Sequence, residues 1–153
     1  MRNLRSSRGA AAGLVLLVLA VSACGVKAPI LAVDGLKIGD MGITGVALDV
    51  GFRVRNPNPE SLTIDRLEYE LFVNGNRLGR GFESAGLALA GFGEGKVRSH
   101  LDVNFLSLPG AVKDVLREDR VKARVKGHFY TSGSYGIKRL GFDADADVNL
   151  GGR

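Results

Sequence analysis

Among its 153 residues the sequence has one cysteine (Cys24), two histidines, four prolines and no tryptophan. A lone cysteine excludes an intramolecular disulfide framework and any zinc site built from cysteines. His100 and His128 are too few for an imidazole-rich metal centre. No serine stands in a G-x-S-x-G elbow, and GFGEGK (Gly91 to Lys96) lacks the spacing of a phosphate loop. No catalytic residue, cofactor or metal is implied, and the chain reads as a non-enzyme.

The sequence also lacks an apolar run long enough to span a bilayer, which takes about 20 residues. AAAGLVLLVLAVSA (Ala10 to Ala23) is shorter and follows a basic start of Arg2, Arg5 and Arg8. Basic start, apolar run and small residues together make a secretory signal. Cys24 stands directly after it, and Val21-Ser22-Ala23-Cys24 resembles a bacterial lipobox, whose cysteine receives a diacylglyceryl group. The expected partner is therefore a membrane, held through N-terminal acyl groups. Gly25, rather than Asp, follows the cysteine, and by resemblance to lipoprotein sorting this favours the outer membrane, facing the periplasm. Losing three arginines with the signal lowers the formal net charge from +5 to +2. That is no nucleic-acid footprint, which needs a basic patch or stripe. The expected organisation is signal over 1–23, tether over 24–33 and one folded domain over 34–153.

The remainder alternates. In VALDVGFRVRN, Val46, Leu48, Val50, Phe52 and Val54 share one face, with Asp49, Arg53 and Arg55 on the other. Leu67, Tyr69, Leu71 and Val73 repeat this period of two, as do Val97, Leu101, Val103 and Phe105. Asn74-Gly75 predicts a tight hairpin turn, with Arg77 to Phe82 returning as a strand weakened or bulged by Gly79 and Gly81. Leu36 to Ile38 reads as a short edge strand. Leu108, Val112, Val115 and Leu116 predict the one helix, with start signals at Ser107 and Pro109. Arg120 to Tyr130 and Lys138 to Leu150 are the last two strands. The fold class is all-β with one short helix, an antiparallel β-sandwich.

Two acidic or polar clusters invite a metal reading. Asp143, Asp145 and Asp147 lack the Gly and distant Glu of a calcium loop. They share parity with Lys122, Arg124 and Lys126 and predict a hairpin pairing Lys126 with Asp143, Arg124 with Asp145 and Lys122 with Asp147. That register also sets Phe129 against Leu140 and Val125 against Ala144. His100, Asp102 and Asn104 share one strand face without a second cluster and read as solvated surface.

Val54-Arg55-Asn56-Pro57-Asn58-Pro59, then Leu67-Glu68-Tyr69-Glu70-Leu71, Asn74-Gly75 and Gly81, resemble the WHy (water stress and hypersensitive response) domain of the late embryogenesis abundant type 2 family. The likeness runs from about Ile30 to Asn104. It implies a fibronectin type III-like sandwich of about seven strands and a non-catalytic role in desiccation and other water stress, with client or envelope proteins as partners. It carries no active site. Asn56, Pro57, Asn58 and Pro59 read as a structural turn, since proline ends a ladder and asparagine bonds nearby backbone. The alternatives are an accessory scaffold of an envelope complex and a sandwich that binds lipid between its sheets.

Overall fold

Period-two alternation gives each long segment one apolar face, and two such faces bury each other. The computed structural model describes residues 25–107 and 117–150. Its strands are β1 (Ile30–Met41), β2 (Gly45–Arg55), β3 (Leu62–Val73), β4 (Asn76–Glu83), β5 (Leu87–Leu89), β6 (Glu94–Asn104), β7 (Arg120–Gly133) and β8 (Gly136–Asn149). A 3-10 turn, Phe105–Ser107, follows β6. Cys24 and most of the helix expected between Ser107 and Glu118 lie outside the described residues.

Every pairing is antiparallel. The smaller sheet has the order β1-β2-β6 and the larger β4-β3-β7-β8, with β5 taking up the β3 edge where β4 leaves it. β1 lies over β8 and β4 over β6, which closes the expected all-β sandwich. Phe52 of β2 and Tyr69 of β3 meet edge to face at 5.0 Å across the interior. Leu48, Val50, Val54, Ile64, Leu67, Leu71 and Phe129 are fully buried around them. Each such side chain contributes about 1.5–3 kcal/mol by leaving water.

The β7–β8 register matches the expectation at all three charged pairs and at Phe129↔Leu140 and Val125↔Ala144. The ion pairs are diagonal as well as direct. Arg124 grips Asp143 with Nε at 2.9 Å and Nη2 at 2.8 Å, and reaches Asp145 only at 3.5 Å. Lys126 stands 3.7 Å from Asp143.

Three features differ from the sequence expectation. β1 is longer than Leu36–Ile38, and its first residues, Ile30 to Val33, already pair with Arg55 to Phe52. A bulge at Asp34 flips the parity between the buried Leu31 and Leu36, so simple alternation misses the first half of the strand. Asp34 turns outward there, and its carboxyl sits below the usual range, held chiefly by Lys96 at 3.2 Å and also by Arg53 at 2.6 Å. In β4 the bulge falls at Leu78, between the ladder partners Arg77 and Gly79. β5 is too short for a period to register.

Candidate functional site

The double Asn-Pro follows the last residue of β2. Pro57 and Pro59 cannot donate to a ladder, so the strand stops and its neighbours need other partners. Asn56 supplies them from a side chain with no exposure at all. Its Nδ2 donates to the carbonyls of Glu60 at 2.8 Å and Ala90 at 3.0 Å. Its Oδ1 accepts from the backbone N–H of Asn58 at 2.9 Å and from Asn58 Nδ2 at 3.0 Å. Asn58 reaches further. Its Oδ1 accepts from the Lys27 N–H and its Nδ2 donates to the Lys27 carbonyl, both at 2.8 Å.

These bonds join three stretches far apart in sequence: the segment before β1, the 56–60 loop and the turn before β6. Backbone bonds from Asn56 N–H to the Gly93 carbonyl and from Phe92 N–H to the Asn58 carbonyl complete the joint. The loops approach so closely that a Cβ on Gly91 would lie 1.8 Å from the Pro59 oxygen. A shallow groove beside Val26, Lys27, Pro57, Pro59, Ser134 and Tyr135 marks this end of the sandwich. Sequence reasoning locates the turn but not the grip on Lys27, which lies 31 residues away.

The other motif pair builds the opposite end. Asn74 (φ 46°) and Gly75 (φ 81°) form the positive-φ hairpin turn between β3 and β4. Asn74 also exchanges bonds with β7, its N–H donating to the Lys122 carbonyl and its Oδ1 accepting from the Lys122 N–H, both at 2.8 Å. Between the two ends, Tyr69 lies directly across from Gly81. A Cβ at Gly81 would fall 2.1 Å from Tyr69 Cζ, so only glycine leaves room for the ring. Burial raises the phenol pKa. The hydroxyl faces Ser99 Oγ in a geometry short of a full hydrogen bond.

His100 stands opposite Asp49 on the exposed face of the smaller sheet. Its Nδ1 is 2.9 Å from Asp49 and its Nε2 3.4 Å from Asp102, and the Asp49 hydrogen bond, with Asp102, raises its pKa. Both ring nitrogens thus face carboxylates, an arrangement that favours imidazolium over metal ligation. Asn104 Oδ1 accepts instead from the Leu106 N–H at 2.9 Å. Asp143 and Asp145 are engaged by β7 cations. Among the described residues no group of three or more His, Cys, Asp or Glu is placed to hold a metal.

A rung on the outer face of the larger sheet has no sequence signal, because it crosses four strands. Arg66 of β3 stacks on Tyr130 of β7 at 3.9 Å and approaches Phe82 of β4 at 5.7 Å. Arg139 of β8 approaches the same Tyr130 ring at 5.9 Å, and the Tyr130 hydroxyl donates to Glu68 at 3.2 Å. It braces the sheet.

The family model for late embryogenesis abundant protein matches residues 51–145. A solution structure of an Arabidopsis thaliana protein superposes with a TM-score of 0.67 at 15% identity, covering 87% of this chain and 89% of that one. A solution structure of a late embryogenesis abundant protein gives 0.49 at 16% identity, over 82% and 72%. A crystal structure of an Archaeoglobus fulgidus protein gives 0.47 at 14% identity, over 82% and 97%. The first of these shares the fold. No curated protein matches in sequence.

Proposed function

Since the chain belongs to the late embryogenesis abundant family, we propose that it is a non-catalytic, stress-protective protein, held at a bacterial envelope by acyl groups on Cys24. The observation that carries the protective reading is the family match over residues 51–145, which takes in the second half of β2, β3 to β7, most of β8 and most of the joint at Asn56 and Asn58. The solid interior supports a role played at the surface, because Phe52, Tyr69 and Phe129 occupy the space a lipid chain between the sheets would need. The anchor reading rests on the basic start, the apolar run and the small residues before Cys24. In this reading the domain covers partly unfolded clients as water is lost, with neither nucleotide nor metal.

The test is drying. A soluble form from Val26 onward should preserve an unrelated enzyme through desiccation better than an equal mass of inert protein, without ATP. Protection equal to the inert control would remove this function and favour the scaffold. Asn56 and Asn58 substitutions should lower protection only in step with lost stability. Labelled palmitate should mark the full chain, and Cys24→Ser should abolish the mark and release the protein from membranes.

A further inference from the structure

We propose that the end of the sandwich carrying Asn56 to Glu60 is a membrane-contacting surface that rests on a leaflet with anionic headgroups. The proposal builds on the acyl anchor at Cys24. Its first support is the length of free chain. Asn58 pins Lys27 through both its N–H and its carbonyl, and Lys27 is three residues from Cys24. Three extended residues reach about 10 Å. The headgroup layer itself is roughly 5–8 Å thick on each side of the hydrocarbon. The tether crosses the headgroups with only a few ångströms to spare, so this end cannot lift away.

What stands at that end suits an interface. Ile30, Phe92 and Ile137 are 47%, 68% and 80% exposed. Ile30 begins β1, Phe92 tips the turn bound to Asn58, and Ile137 follows the β7–β8 turn. A single exposed apolar side chain is ordinary; here three stand at the end where the chain is anchored. Exposed Lys27, Arg55 and Lys138 accompany them. Glu60 is the exposed acid of the same loop, while nearby Glu94 is engaged by Arg53 at 3.4 Å. Apolar tips ringed by cations are what an anionic lipid surface binds. The opposite end also exposes apolar tips, Met41, Ile43 and Leu106, but it lies a full strand length from the anchor, about 35 Å for β2, so the short tether and not apolarity alone selects the Asn56 end.

The absence of tryptophan makes the test direct. Full chains carrying Phe92→Trp, Ile137→Trp or Ile43→Trp would be purified from membranes. They would then be placed in phosphatidylethanolamine–phosphatidylglycerol vesicles with brominated acyl chains. The first two variants should show blue-shifted emission and lose most of their intensity to bromine, while Ile43→Trp should keep its own. Circular dichroism checks folding, and Ile137→Trp, at an open site, carries the test if Phe92→Trp misfolds. The mass of the N-terminal fragment from the same sample reports acylation. An acylated chain whose Phe92→Trp and Ile137→Trp signals are quenched no more than that of Ile43→Trp overturns the surface alone. A chain without acyl groups overturns the anchor and the surface together.

Discussion

Asn56 and Asn58 stand two residues apart in one motif, yet the structure gives them unequal weight. Replacing Asn56 with alanine strips partners from the buried Asn58 N–H and from the carbonyls of Glu60 and Ala90. An orphaned buried group costs about 1–3 kcal/mol, and a part-buried bond nearer 0.5–1.5. The sum is roughly 4 kcal/mol, a large share of the 5–15 kcal/mol that holds a typical domain. Asn58→Ala leaves the Asn58 N–H bonded to Asn56 and releases mainly the backbone of Lys27, an exposed residue that water can satisfy. Its cost should be near 2 kcal/mol. Urea unfolding followed by far-ultraviolet circular dichroism separates the two. At a slope of about 2 kcal/mol per molar urea, the midpoints should fall by about 2 M and 1 M. Trypsin gives the reverse ranking under native conditions, since Asn58→Ala frees the Lys27 cleavage site directly. Equal urea shifts, or Lys27 cleavage unchanged by Asn58→Ala, would refute this division of roles.

Gly81→Ala should destabilise by about 1–3 kcal/mol or more through the clash with Tyr69, and adding Tyr69→Leu should recover part of that loss in a thermal melt. Gly127→Ala meets the Glu68 carbonyl at 2.0 Å, backbone that no rotamer change relieves, so its melting loss should resist any side-chain rescue. His100 is held above its ordinary pKa by Asp49 and Asp102. Its contribution is therefore full below the unfolded value near 6.5 and lost as pH rises through the folded one. Asp49→Asn should accordingly lower the melting temperature more below about pH 6 than above about pH 8, and added salt should shrink the difference.

Much of this fold is legible because its signals are local or carry parity. Lys122, Arg124 and Lys126 against Asp143, Asp145 and Asp147 specify the β7–β8 register, since a slip of one residue would turn an apolar set outward. Asn74-Gly75 announces its turn through backbone conformation alone. Features that join distant residues leave no such trace. The grip of Asn58 on Lys27 exists only once the chain has folded, and the seat of Tyr69 on Gly81 only once β3 and β4 have found their register. The bulge at Asp34 conceals half of β1 by reversing which face is apolar. The joint at Asn56 is half legible: its prolines show that a strand ends, and nothing in the spacing shows what its asparagines hold.

β8 forms an edge of the larger sheet for 14 residues, a length at which an unguarded strand recruits copies of itself. Its central outward side chains are Asp143, Asp145 and Asp147. A second β8 laid antiparallel about Asp145 would set that carboxylate against its own copy, and Asp143 against Asp147. Like charges directly opposed on a ladder repel, and the cations that answer them belong to β7, one strand further in. The row that fixes the hairpin register within one molecule therefore also opposes this edge-to-edge register between two molecules as the protein concentrates.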